Sequence, residues 1–197
     1  MLIIGHRGSA GTTPENTLAS FAAAISAGAE MIELDVHRCA SGELVVIHDE
    51  KVNRTTNGTG QVSKKSLSEL QQLDAGYGEK IPTLREVLEM LDKQVKINIE
   101  LKGPDVAEPV FNLLEEYKSL HGWKCEDFYI SSFDHSQLLQ FRQWDKQTKT
   151  GILYEGKPKG FTHLAKALQA FSINIALHKA EEKTIDKIHA ENLQVWV

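Results

Sequence analysis

Apolar and acidic residues alternate strictly in Ile32-Glu33-Leu34-Asp35-Val36, which is the pattern of a β-strand with two different faces. Because successive side chains of a strand point to opposite faces, its two carboxylates share one face and its three apolar residues share the other. The stretch Ile97-Asn98-Ile99-Glu100-Leu101-Lys102 repeats this pattern, with its polar residues on one face. Either stretch alone also fits a strand of an antiparallel sheet with one solvent-exposed face. Helical patterns precede both strands, however, which favours parallel crossovers, and the polar faces then point into the mouth of a barrel.

Strand-like and helix-like segments alternate along the whole chain. Eight short runs rich in Ile, Val, Leu or Phe predict strands, at residues 2–5, 31–36, 43–48, 95–101, 128–132, 150–154, 172–177 and 193–197. Apolar periodicity predicts helices at residues 16–27, 105–119, 136–147, 161–171 and 181–191. Capping-box patterns at Ser66 and Thr83 predict two further helix starts. This alternation implies a parallel sheet in an α/β fold, which favours a TIM (β/α)8 barrel over an open doubly wound sheet.

Two features depart from a complete barrel. Only residues 38–42 separate the second predicted strand from the third, which is too few for a helix. The last predicted strand coincides with the chain end, and barrels of this type usually run to about 250 residues. The expectation is therefore a single domain over residues 1–197 that lacks the C-terminal helix and tail of the barrel.

Composition is that of an ordinary folded domain. Of the 197 residues, 41% are hydrophobic and 25% charged, which excludes a disordered chain. The formal net charge of −5 argues against a nucleic-acid partner and weakly against attraction to anionic membranes.

The N-terminus and the cysteines indicate the same compartment. The apolar run at residues 1–4 ends at Gly5, whereas a signal peptide needs about 7–15 apolar residues. No stretch approaches the roughly 20 apolar residues of a membrane helix, so stable membrane insertion is not expected. Two cysteines, Cys39 and Cys125, make no disulfide framework. The expectation is a cytoplasmic protein with free thiols; the pattern does not indicate an oligomeric state.

Three carboxylates on the polar strand faces predict a metal site. Glu33, Asp35 and Glu100 offer only oxygen ligands, which suit Mg²⁺ or Ca²⁺, and zinc-type thiolate or imidazole spacings are missing. Lys102 shares the face of Glu100, where it would neutralise a carboxylate or meet an anionic substrate.

Two histidines follow predicted strands directly. His6 and His48 would lie beyond the carboxyl ends of their strands, where reacting groups of α/β folds sit. An ordinary pKa near 6.5 suits such a pair to general acid and base catalysis. Arg7, in a turn with Gly8, is suited to grip a phosphate.

The order of short motifs resembles the glycerophosphodiester phosphodiesterase family. The matching segments follow one another over nearly the whole chain: Gly5-His6-Arg7-Gly8, Pro14-Glu15-Asn16-Thr17, Glu33-Leu34-Asp35-Val36, Val45-Val46-Ile47-His48-Asp49, Arg54-Thr55-Thr56-Asn57-Gly58, Ile81-Pro82-Thr83-Leu84, Ile99-Glu100-Leu101-Lys102 and Ser131-Ser132-Phe133-Asp134. Eight motifs in order are highly specific, whereas any one alone would be weak.

The resemblance implies both a fold and a reaction. It implies a barrel of the phosphatidylinositol-phosphodiesterase-like type, with an insertion at about residues 49–85. It implies metal-dependent hydrolysis of glycerophosphodiesters, a small-molecule substrate class, to sn-glycerol 3-phosphate and an alcohol. The roles implied for single residues are as follows: His6 and His48 as acid and base, Glu33, Asp35 and Glu100 as ligands of one divalent cation, Arg7 as a phosphate contact, and Glu15 and Lys102 beside the substrate.

Some alternatives stay open at the level of sequence. The attacking group is either water or the 2-hydroxyl of the substrate, and the order in which the histidines act is undetermined. The chain would instead be a non-catalytic phosphodiester- or metal-binding module if a truncated barrel had lost turnover. A related phospholipase or lyase that acts on intact lipid is the third interpretation.

Overall fold

A curved, mostly parallel β-sheet with helices along its chain connections forms the fold of the computed structural model, which describes residues 2–156, 158 and 160–197. The strands in this part of the chain are β1 (Ile4–His6), β2 (Met31–Arg38), β3 (Leu44–Val46), β4 (Lys96–Leu101), β5 (Phe128–Ser132), β6 (Lys149–Tyr154), β7 (Ser172–Ile175) and β8 (Gln194–Trp196). The α-helices are α1 (Leu18–Ser26), α2 (Leu67–Gln72), α3 (Leu84–Leu91), α4 (Ala107–Leu120), α5 (His135–Trp144), α6 (Phe161–Leu168) and α7 (Glu182–His189). Each predicted strand and helix is present, with small shifts at the ends.

Seven strands run parallel, in the order β1-β2-β4-β5-β6-β7-β8. At least one residue from each of them lines a single cavity, so the sheet curves around its inner face as a barrel does. Within the described part of the chain, β1 and β8 do not pair with each other. The predicted α/β barrel class is confirmed.

The third strand differs from its expected place. β3 is antiparallel to β2, and pairs Val46 with Val36 and Leu44 with Arg38. The short link between β2 and β3 leaves no room for a crossover, so the chain forms a hairpin. Val36 also pairs with Leu101 of β4, so β3 occupies the other edge of β2, above the place where β1 pairs. His48 therefore follows a strand, as predicted, but this strand is antiparallel to its neighbour within an otherwise parallel sheet.

Side-chain alternation divides the sheet into a polar inner face and an apolar outer face. Ile32, Leu34, Ile97 and Ile99 are fully buried and belong to the main hydrophobic cluster with residues of the helices. Phe21 of α1 is fully buried in the same cluster. The outer face thus supplies the hydrophobic stabilisation, while the inner face of these strands carries polar side chains.

The segment after β3 has a small apolar cluster of its own. Val52, Leu70 and Ile81 are buried there against Val45 and Ile47 of the hairpin. The predicted capping boxes at Ser66 and Thr83 are confirmed and begin α2 and α3. The single-domain boundary 1–197 and the insertion at 49–85 stay predictions.

Candidate active site

Three acidic side chains meet on the inner face of two paired strands. Glu33 and Asp35 alternate along β2, and Glu100 of β4 lies opposite Asp35 in the parallel register. One carboxylate oxygen from each lies within 4.8 Å of the others, and all three residues are buried. The polar alternation that decides the fold therefore also builds this acidic cluster.

The acidic cluster carries an excess of negative charge. Burial, with the neighbouring carboxylates of Asp35 and Glu100, raises the pKa of Glu33 well above its ordinary value. Burial and the charge of Asp35 also raise the pKa of Glu100, to about 7, although Lys102 opposes this. The Lys102 Nζ atom lies 2.6 Å from Glu100 Oε1 and 3.5 Å from Asp35 Oδ1. Arg7 adds a second positive charge, with its Nε 3.4 Å from Asp35 Oδ2, but two cationic groups do not balance three carboxylates in a buried place.

The donor atoms of the acidic cluster fit a divalent cation. Asp35 Oδ1 is buried and accepts no hydrogen bond, and the Glu100 Oε1 atom contacts the Lys102 ammonium group alone, so both oxygens keep lone pairs to offer. The other oxygen of Asp35 accepts a 2.8 Å hydrogen bond from Asn16 Nδ2, and Glu33 Oε2 accepts one of 3.0 Å from the backbone N–H of Arg7. These bonds orient the carboxylates, as partners of metal ligands commonly do. An all-oxygen set of this kind suits Mg²⁺ or Ca²⁺.

The hairpin brings the two predicted histidines to one edge of β2. β1 ends at His6, which pairs with Glu33, and β3 runs toward it along the same edge. The chain continues beyond β3, where the Ile47 backbone N–H donates to the Asp35 carbonyl, and His48 follows. Both histidines line the cavity. Their proximity is therefore set by the antiparallel hairpin.

The two imidazoles have different surroundings. The His6 side chain is 71% exposed, and its Nε2 lies 3.9 Å from Glu33 Oε2. The partial loss of water in the cavity and the charge of Arg7 lower the pKa of His6. The His48 side chain is 29% exposed, and its Nδ1 lies 2.6 Å from Asp49 Oδ1. His48 is therefore held by a carboxylate, whereas His6 stands more openly in the cavity.

Arg7 lies in a tight turn beside the acidic cluster. Its Nη1 donates to Glu15 Oε1 at 2.9 Å, and its Nε lies 3.4 Å from Asp35 Oδ2. The turn needs Gly8, whose φ is +81° and whose added Cβ would come within 2.6 Å of the Ser20 backbone. The glycine therefore allows close packing against α1. Arg7 lines the cavity, while Glu15 lies behind it and outside the cavity lining.

The cavity has a volume of about 800 Å³, which is the usual size for a small-molecule site. Its charged and titratable lining consists mainly of His6, His48, Arg7, Lys102 and two members of the acidic cluster, Glu33 and Glu100. The rest of the lining is largely apolar and includes Phe133, Leu153, Tyr154, Ile175 and Trp196. This arrangement can take a molecule with an anionic centre and a less polar remainder.

The model for the "Glycerophosphoryl diester phosphodiesterase family" matches residues 6–197. The chain belongs to this family. It is 40% identical to the glycerophosphodiester phosphodiesterase of Caldanaerobacter subterraneus subsp. tengcongensis in an alignment 186 positions long, which covers 88% of this chain and 74% of that protein. It is 35% identical to the glycerophosphodiester phosphodiesterase of Bacillus subtilis in an alignment 178 positions long, which covers 80% of this chain and 60% of that protein.

Solved structures of glycerophosphodiester phosphodiesterases share the fold. A phosphodiesterase from Oleispira antarctica, in complex with the product sn-glycerol-3-phosphate, has a TM-score of 0.90 at 30% identity; the match covers 99% of this chain and 83% of that chain. An enzyme from Thermotoga maritima has a TM-score of 0.80, also at 30% identity, and the match covers all of this chain and 86% of that one. The predicted family, barrel fold and enzyme class, glycerophosphodiester phosphodiesterase, are confirmed.

Several residues that support the site were not assigned a role from the sequence. Asn16 orients Asp35, and buried His37 places its Nε2 3.1 Å from the backbone carbonyl oxygen of His48. Arg54 donates hydrogen bonds to the carboxylates of Asp49 and Glu15.

Among the described residues, no helix is both long and apolar enough to cross a bilayer.

Proposed function

We propose that this chain hydrolyses glycerophosphodiesters to sn-glycerol 3-phosphate and an alcohol, with the help of one divalent cation and of histidine acid–base catalysis. The observation that carries the proposal is the buried acidic cluster of Glu33, Asp35 and Glu100, of which Glu33 and Glu100 line one cavity together with His6 and His48. Family membership supports the reaction type. The product bound to the relative from Oleispira antarctica supports a small phosphorylated substrate.

The acidic cluster would hold the cation through its oxygen atoms, with Mg²⁺ and Ca²⁺ both suited to it. A bound cation supplies polarisation of phosphoryl oxygens and orientation of the substrate. Lys102 and Arg7 bring positive charge to the same end of the cavity. Because both side chains line the cavity, they would contact the phosphate, while Glu15 would orient Arg7 from behind.

The histidines would move the protons of the reaction. One would take the proton from the attacking hydroxyl group, and the other would protonate the leaving alkoxide. Since Asp49 occupies Nδ1 of His48, the Nε2 atom of that ring is left for proton transfer. The placement fits attack either by water or by the 2-hydroxyl of the substrate.

The experiment is a glycerol 3-phosphate assay on the purified chain. Glycerophosphocholine and glycerophosphoethanolamine would be offered with Mg²⁺, with Ca²⁺ and with excess chelator. We expect product in the presence of a cation and a loss of activity with chelator that added cation restores. Full activity in excess chelator would overturn the metal proposal. Binding of cation and diester without product would favour a non-catalytic binding module, and preference for intact lipid would favour a phospholipase.

A further inference from the structure

One arginine, Arg54, pairs with two carboxylates that come from different segments of the chain. Arg54 lies in the segment after β3, and its guanidinium group forms four hydrogen bonds to two carboxylates. Its Nε and Nη2 donate to Asp49 at 2.7 and 2.8 Å, and its Nη1 and Nη2 donate to Glu15 at 2.9 and 2.7 Å. Glu15 is 39 residues away in the sequence, so this contact ties the segment after β3 to the loop before α1.

Each carboxylate that Arg54 holds contacts a side chain that lines the cavity. Asp49 Oδ1 lies 2.6 Å from His48 Nδ1, and Glu15 Oε1 accepts from Arg7 Nη1 at 2.9 Å. The result is a continuous chain of contacts, Arg7–Glu15–Arg54–Asp49–His48. It connects the residue suited to grip phosphate with one of the two residues suited to move protons.

We propose that Arg54 is a positioning residue, which orients His48 through Asp49 and Arg7 through Glu15 for the same substrate. The inference rests on the proposed function, because it assigns roles to Arg7 and His48 in that reaction. Forked pairing with carboxylates restricts the angle as well as the distance of both partners. A single guanidinium group therefore sets the orientation of both cavity residues together.

The electrostatics and packing support a fixed geometry. Hydrogen bonds from Arg54 keep the pKa of Asp49 and that of Glu15 below their ordinary values, so both carboxylates stay ionised. Val52, two residues before Arg54, is fully buried, and its carbonyl oxygen accepts hydrogen bonds from the backbone and hydroxyl of Thr56. The backbone that carries Arg54 is therefore anchored on the small cluster beneath it.

The exposure of Arg54 separates positioning from stability. Its side chain is 47% exposed, and exposed ion pairs contribute little to the stability of a fold. Arg85 offers a matched control, because it is also 47% exposed and forms a forked pair with Glu116, away from the cavity. Loss of either arginine should thus affect folding similarly, while only Arg54 should affect turnover.

The first test is a set of steady-state measurements on Arg54→Gln, Arg54→Lys and Arg85→Gln. We expect Arg54→Gln to lower kcat/KM by about 10- to 100-fold, the scale on which small misplacements act. Lysine keeps the charge but cannot form the bidentate pairing of a guanidinium group. The kcat/KM of Arg54→Lys should therefore lie closer to that of Arg54→Gln than to that of the wild-type protein. Arg85→Gln should keep full activity. Equal activities of Arg54→Gln and Arg85→Gln would overturn the proposal.

The second test separates the effect of Arg54 on His48, through Asp49, from its effect on Arg7, through Glu15. Asp49→Asn should lower mainly kcat, through His48, and Glu15→Gln should raise mainly KM, through Arg7. Arg54→Gln should do both. The double variant Arg54→Gln/Asp49→Asn should have about the same kcat as the single variant with the lower kcat, because both substitutions break the same Arg54–Asp49 contact. Effects that multiply independently would contradict the proposal.

A spectroscopic measurement does not depend on turnover. Long-range ¹H–¹⁵N correlation spectra report which nitrogen of a neutral histidine carries the proton. We expect the proton on Nδ1 of His48 in the unchanged chain and a mixture of tautomers in Arg54→Gln. An unchanged tautomer in Arg54→Gln would overturn the inference, whereas absence of hydrolysis by the unchanged chain would overturn the proposed function alone.

Discussion

Replacing Glu100 by glutamine should stabilise the cation-free protein at alkaline pH. The pKa of Glu100 rises from 4.5 to about 7, because burial and Asp35 disfavour its charged form. Its ionisation therefore weakens the fold progressively between pH 4.5 and 7, and the full effect is present above pH 7. A shift of this size corresponds to about 3 kcal/mol at 1.36 kcal/mol per unit of pKa. The amide of Glu100→Gln keeps the shape and removes the charge.

Thermal unfolding with excess chelator at pH 8 and pH 5 would measure the effect. For a chain of this length, about 3 kcal/mol corresponds to a Tm increase of roughly 6–12 °C at pH 8. At pH 5 Glu100 is largely protonated in the folded protein. The difference in free energy of unfolding between Glu100→Gln and the wild-type protein should therefore fall below about 1 kcal/mol. Glu89→Gln, which changes an exposed carboxylate of α3, is the control and should leave Tm nearly unchanged.

Added cation should reverse the order of stability. A ligand that binds only the folded state stabilises it in proportion to the logarithm of its concentration over Kd. The unchanged chain should therefore gain Tm with Mg²⁺ or Ca²⁺, while Glu100→Gln should gain much less. If Glu100→Gln melts no higher than the unchanged chain at pH 8 with chelator, or if its advantage is the same at pH 5, the electrostatic reasoning about the acidic cluster is wrong.

Three further outcomes are expected. His6→Ala and His48→Ala should each lower kcat by about 10²–10⁴-fold, as measured by glycerol 3-phosphate release, and His163→Ala, at an exposed position of α6, should not. Leu88→Ala removes a fully buried side chain of α3 and should lower the free energy of unfolding by about 2–5 kcal/mol in urea titrations. Gly8→Ala should lower both Tm and activity, because the added Cβ meets backbone and displaces the turn that carries Arg7.

The sequence by itself determined the strands, the helices and the acidic face. Alternation in residues 32–36 and 97–102 is visible in one dimension, since side chains of a strand must point to opposite sides. The capping boxes at Ser66 and Thr83 were equally local, because hydroxyl and carboxylate lie three residues apart. Such features depend only on neighbours in the chain. The proposed substrate class came from the family resemblance and not from these patterns.

Only the tertiary structure decided how the site is assembled. The sequence placed His48 at the end of a strand, but only the hairpin of β3 along β2 shows that this strand is antiparallel and leads toward the edge of β2 where His6 lies. The pairing of Arg54 with Glu15 joins residues 39 positions apart, and Asn16 meets Asp35 across 19. No local pattern specifies such pairs, because their distance depends on the strand register and on how the loops pack. The sequence supplied the candidate site residues, and their common orientation arises from the folding of the chain around one curved sheet.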